Sequence, residues 1–119
     1  MPSDTVKRDY VTLLPQVMEK LFPDEAVRTR VWSLLDGYQA KEPHRVRVGI
    51  LKAAKGEPED IAALVRYASD DYRDLLTLAE YPLSSRRWAL RDSDPSKYAA
   101  LQEREQRMYT NWLQCVLER

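Results

Sequence analysis

The stretch from Pro58 to Pro82 constrains this chain most. Its apolar residues fall at Ile61, Leu64, Val65, Ala68, Tyr72, Leu75, Leu76 and Ala79. Steps of three and four place all eight on one helical face, and the phase does not slip. Arg66, Asp70, Arg73 and Glu80 fall on the other sides. This spacing predicts one continuous helix over 58–81, buried along one stripe and central to the fold.

The rest of the chain points to the same class. It has three glycines and one phenylalanine in 119 residues, with 44% hydrophobic and 32% charged residues. That balance favours helix over strand and suffices for one core. The expected fold is all-α: a compact single-domain bundle of about five helices spanning residues 1–119, with the long helix at 58–81 in the middle.

The first helix is expected to begin near Ser3 or Asp4, either of which can cap it. Its stripe is Val6, Tyr10, Leu13, Leu14, Val17, Met18 and Leu21, and Pro15 inside it predicts a kink or break near Val11. Asp24 caps a second helix carrying Val27, Val31, Leu34 and Tyr38. Pro43 opens a third, with Val46, Ile50, Ala53 and Ala54, which Gly56 ends. Asp94-Pro95 opens the last helix, which runs to near Arg119. Every residue from Gln102 to Arg107 is polar, so its middle is expected at the surface or across a solvent gap.

Charge links the third and fourth helices. Residues 41–55 carry five basic residues and one acid, a local +4. Residues 57–80 carry two bases and seven acids, a local −5. The link Gly56-Glu57-Pro58 is short, so the two are expected to pack side by side.

Few motifs carry chemistry. His44 is the only histidine and sits at a helix start, where a protonated imidazole is disfavoured. Ser84 and Ser85 lie on no nucleophile-elbow pattern, and Cys115 reads as a small hydrophobe on an apolar turn. No metal-ligand motif occurs; the nearest oxygen cluster is Asp70, Asp71 and Asp74, one turn apart. No glycine-rich phosphate loop occurs either, and no cofactor is implied. The segment Arg86-Arg87-Trp88-x-x-Arg91 could grip phosphate and stack a base. The dull alternative is that Trp88 plugs the core while the arginines stay in water.

A second stripe on the 58–81 helix mixes aromatic, acidic and apolar residues: Tyr67, Asp71, Asp74, Leu78 and Tyr81. It is either a second buried face or an interaction surface. The charges balance at 19 basic and 19 acidic, which argues against bulk nucleic acid or an anionic membrane as partner. No apolar run approaches the roughly 20 residues of a membrane span. A lone cysteine and a polar start with no signal core give a soluble, cytoplasmic protein as the expectation.

The sequence therefore favours a non-catalytic interaction or adaptor protein. Its partner is an unknown protein, with a homo-oligomer among the options, and its contact residues are Tyr67, Asp71, Asp74, Leu78, Tyr81, Arg86, Arg87 and Trp88. One alternative is a small metal-dependent or acid–base hydrolase using Asp70, Asp71, Asp74 and Glu80, with Arg73 as a clamp. Another is RNA or nucleotide binding through Arg86, Arg87, Trp88 and Arg91.

Overall fold

A computed structural model describes residues 8–119. Among them the fold is all-α, without strands. The helices are α1 (Tyr10–Leu21), α2 (Glu25–Leu35), α3 (Pro43–Ala54), α4 (Ile61–Asp70), α5 (Tyr72–Glu80), α6 (Ser84–Leu90) and α7 (Pro95–Leu117), with a 3-10 turn at Pro58–Asp60. Seven helices stand where about five were expected.

The difference arises mainly at Asp71, which divides the expected long helix into α4 and α5. Its backbone is extended (φ −155°, ψ 105°), and it serves both helices. Its N–H donates to the Tyr67 carbonyl, completing α4, and its carboxylate accepts from the Arg73 N–H, capping α5. The apolar phase carries from Ala68 to Tyr72 straight across the break, so periodicity alone cannot reveal it.

The central element is α3. It packs on α1, α4 and α5 and buries Val46, Val48, Gly49, Ile50, Leu51 and Ala54. Gly49 sets its approach to α5: a Cβ there would lie 3.0 Å from Leu75 Cδ1 and 3.3 Å from the Ala79 Cβ. The helix ends with Lys55 and Gly56 in left-handed conformation (φ 52° and 81°), which Gly adopts without strain. Pro43 and Asp24 open α3 and α2 as expected, and Asp94 caps α7 by accepting from the Lys97 N–H.

The expected caps Ser3 and Asp4 lie outside the described residues. The described α1 starts at Tyr10 and is capped by Asp9, with Thr12 N–H and Oγ1 both donating to its carboxylate. Pro15 does not break this helix. The carbonyl it strips of a partner belongs to Val11, which is exposed, so water can replace the lost bond.

The core is confined to one part of the molecule. It draws on α1 to α5 and on Tyr109, Leu113 and Val116 from the far half of α7. Between Ala79 and Tyr109 no apolar side chain is fully buried, and the buried residues there are Glu80, Arg87 and Glu105. α6 packs on α7, forming an arm with a charged interior that extends past the apolar core. The molecule is accordingly long, 50 × 32 × 21 Å, with a radius of gyration of 15.1 Å, against roughly 13–14 Å for a compact chain of this length.

Candidate interaction surface

The arm is built around one buried charge. Glu105 is 1% exposed and faces α6 from the polar middle of α7. A buried carboxylate needs a cation and hydrogen bonds. Arg87 Nε donates to its Oε1 at 2.8 Å, and the Leu83 backbone N–H donates to its Oε2 at 2.8 Å. Leu83 precedes the first turn of α6, where backbone N–H groups lack helical partners, so Glu105 satisfies one of them. Arg87 Nη1 also donates to the Tyr98 hydroxyl at 3.0 Å. Glu105 and Arg87 together thus join α6, its entry and two turns of α7, the carboxylate reaching Leu83 and the guanidinium reaching Tyr98.

Helical geometry then decides what Trp88 does. It follows Arg87 by about 100° of rotation, so an inward Arg87 turns Trp88 outward. Trp88 is 54% exposed. It meets Tyr98 edge-on at 6.2 Å between ring centres, and the Arg91 guanidinium lies 4.8 Å over its ring. Arg87 lies 5.2 Å from the centre of Tyr98 and 5.9 Å from that of Tyr81. The result is a ladder of rings and guanidinium groups, Tyr81, Arg87, Tyr98, Trp88 and Arg91, running from the end of α5 across the arm.

Two expectations reverse here. Trp88 does not plug the core and Arg87 does not stay in water; the tryptophan is outside and the arginine inside. Nor does the middle of α7 lie wholly at the surface, because Glu105 is buried. A signal for this was present: Tyr98, Leu101, Glu105 and Tyr109 are spaced by three, four and four. Glu105 occupies a place in the inward stripe.

The mixed stripe on α4 and α5 is not a second buried face. Tyr67 is 42% exposed and Leu78 51%, and Asp74 is exposed between them. Asp71 is half-buried at the helix break, and Tyr81 is half-buried at the foot of the ladder. The fold joins Tyr81 to the Arg87 and Trp88 group. Arg86 is exposed and, like Asp74, makes no ion pair among the described residues.

The carboxylates of the hydrolase alternative are divided. Asp70 and Asp71 line an open cleft of about 430 Å³ with Lys41, Ser69, Tyr72 and Arg73. Arg73 holds the Asp71 carboxyl below the usual carboxylate range, through its side-chain and then its backbone hydrogen bond. Asp74 does not line this cleft. Glu80 is gripped by Arg45, whose Nε and Nη2 donate to its two oxygens at 2.9 and 2.7 Å. That hydrogen bond holds the Arg45 guanidinium more firmly protonated than usual. It is the ion pair between the basic helix and the acidic segment. Among the described residues no three His, Cys, Asp or Glu side chains gather as a metal-holding group.

Beside this pair lies a tyrosine cluster. Burial first, and then Glu80, pushes the Tyr81 hydroxyl up. Tyr109 is pushed further, by burial and then by Tyr10, and its buried hydroxyl makes no well-formed hydrogen bond. Arg8 lies 4.8 Å over its ring. His44, Ser84 and Cys115 sit on three different helices, with no hydrogen bond among them. Cys115 is exposed, not packed as a small hydrophobe.

Comparison with known proteins returns no matching family, no matching curated protein and no matching solved structure. No helix among the described residues is long and apolar enough to cross a membrane.

Proposed function

We propose that this chain is a non-catalytic interaction module whose contact surface is the arm of α6 and the first half of α7, anchored by Trp88. One observation carries the reading: a tryptophan more than half exposed stands against Tyr98 and Arg91 on a scaffold with a charged interior. Exposing an indole forfeits roughly 2 kcal/mol or more of burial energy. A buried arginine and glutamate beneath it add nothing that a plain apolar contact would not supply to stability. Preorganised Trp, Tyr and Arg side chains are the groups that most often dominate binding at protein interfaces. The ladder presents all three, and Arg86, exposed on the opposite flank of α6, offers a separate cation to solvent. The exposed Tyr67, Asp74 and Leu78 supply a second, acidic contact face.

The test is affinity capture from the native host with the wild-type chain and with Trp88→Ala. A protein retained by the first and lost by the second, with helicity unchanged, is the expected result. Retention of the same proteins by both would defeat the reading.

A further inference from the structure

The flank of the arm turned away from Trp88 carries a face that the ladder does not use, and we propose that it docks an acidic amphipathic helix of a partner protein. α6 and α7 run antiparallel: Leu83 and Arg87 meet Glu105, and the later residue Trp88 meets the earlier Tyr98. Both helices are right-handed, so residues at equal offsets from the facing pair of Arg87 and Glu105 turn to the same side. Arg86 precedes Arg87 and Arg104 precedes Glu105, so these two arginines share the flank away from Trp88. Lys97, Leu101, Arg104 and Met108 follow one another at steps of four, three and four, and form one stripe on that flank of α7. Arg86, Lys97 and Arg104 are exposed, Met108 is 40% exposed and Leu101 is half-buried.

Charge decides the occupant. Arg86 and Arg104 make no ion pair among the described residues, and Lys97 reaches the carboxylate of Asp94 only at 4.0 Å. α6 holds no acid, and both carboxylates within α7 are engaged elsewhere, Glu105 with Arg87 and Glu103 with Arg107. Cations therefore flank an apolar strip that meets no carboxylate after the capping Asp94. From Lys97 to Met108 the strip runs roughly 16 Å, about three helical turns. A partner helix of that length can set its apolar side chains on Leu101 and Met108 and its flanking carboxylates on Arg86 and Arg104. The flexible thioether of methionine suits it to such a contact. A phosphate backbone has no counterpart to the apolar strip, and a chain with 19 basic and 19 acidic residues is not drawn as a whole to nucleic acid or to an anionic bilayer.

Fluorescence anisotropy of the full chain with a labelled synthetic peptide tests this. The probe is an amphipathic helix of roughly four turns, with leucine along one face and glutamate on both sides of it. The wild type should bind it with a Kd of roughly 10–100 µM, weakened by added salt. Arg86→Glu and Arg104→Glu should each weaken binding about 10-fold, and Met108→Ala several-fold, whereas Trp88→Ala should leave it unchanged. The same peptide with lysine in place of glutamate should bind the double variant Arg86→Glu/Arg104→Glu and not the wild type. All these positions are exposed, and matching far-ultraviolet spectra establish that the fold is kept. A wild type that does not bind the peptide overturns the proposal, as does binding indifferent to both arginine substitutions. So does tighter binding, through the same arginines, of a uridine oligonucleotide or of phosphatidylserine vesicles, or a chain that sediments as a dimer through Arg104 and excludes the peptide. Any of these leaves the Trp88 capture experiment standing as the test of the other flank.

Discussion

Replacing Arg87 with Met should remove the cation that neutralises Glu105. The carboxylate is 1% exposed and its guanidinium partner lies 2.8 Å away. Removing one partner of a buried pair leaves an uncompensated charge and costs about 3–5 kcal/mol. A domain of this size has a total stability of roughly 5–15 kcal/mol, so the loss is a large share. The double variant Arg87→Met/Glu105→Leu removes both charges. It should recover most of the loss, short by about 1–3 kcal/mol because the Leu83 N–H then has no acceptor. Urea unfolding followed by circular dichroism measures both. Hydrogen exchange locates the effect: α6 contributes no buried apolar side chain, so amides 84–90 should lose protection before those of α3. A single variant that loses less than about 1 kcal/mol, with α6 still protected, would refute a buried pair as the arm's fastening.

Other perturbations probe the body. Gly49→Val drives a branched side chain into Leu75 and Ala79, and should cost about 1–3 kcal/mol in chemical unfolding as α3 is forced off α5. Tyr109→Phe removes a buried hydroxyl without a well-formed hydrogen bond, so the melting temperature should hold or rise; a drop of several degrees would mean the hydroxyl is paired. Asp71→Asn should lower the melting temperature at neutral pH. Because the folded carboxyl titrates below its unfolded value of about 3.9, its contribution is present above that pH and fades as pH falls below it. The gap between wild type and variant should therefore close in acid.

Much of the body was legible in the residues. Pro43, Asp24 and Asp94-Pro95 marked helix starts, because a proline without an N–H and a carboxylate that accepts one fit those positions. The break at Asp71 was hidden because the buried stripe keeps its phase across it; only the Asp71 and Asp74 pair, a cap with an acid three residues on, hinted at a restart. The arm was only half legible, for a different reason: the spacing of Tyr98, Leu101, Glu105 and Tyr109 puts Glu105 on the inward stripe, but nothing nearby in sequence supplies its cation. Polarity marks a surface residue on average, whereas Glu105 and Arg87 are buried by each other, a fact no single stretch contains. For the same reason Trp88 reads as core until its neighbour's direction is known. The stripe of Tyr67, Asp74 and Leu78 left two faces open to choice, and packing of α5 on α3 from the opposite side decided for solvent.

On the proposed function, Trp88 stands in water in the free chain and is covered when a partner binds. Fluorine NMR of the wild-type chain grown with 5-fluorotryptophan gives one resonance each for Trp32, Trp88 and Trp112, and Trp88→Ala identifies the one that belongs to Trp88. In the free chain that resonance should show the largest solvent isotope shift of the three, and it should move and lose that shift when a captured partner protein is added. A Trp88 signal already shielded from solvent in the free chain, or one unchanged when that partner binds, would contradict the claim.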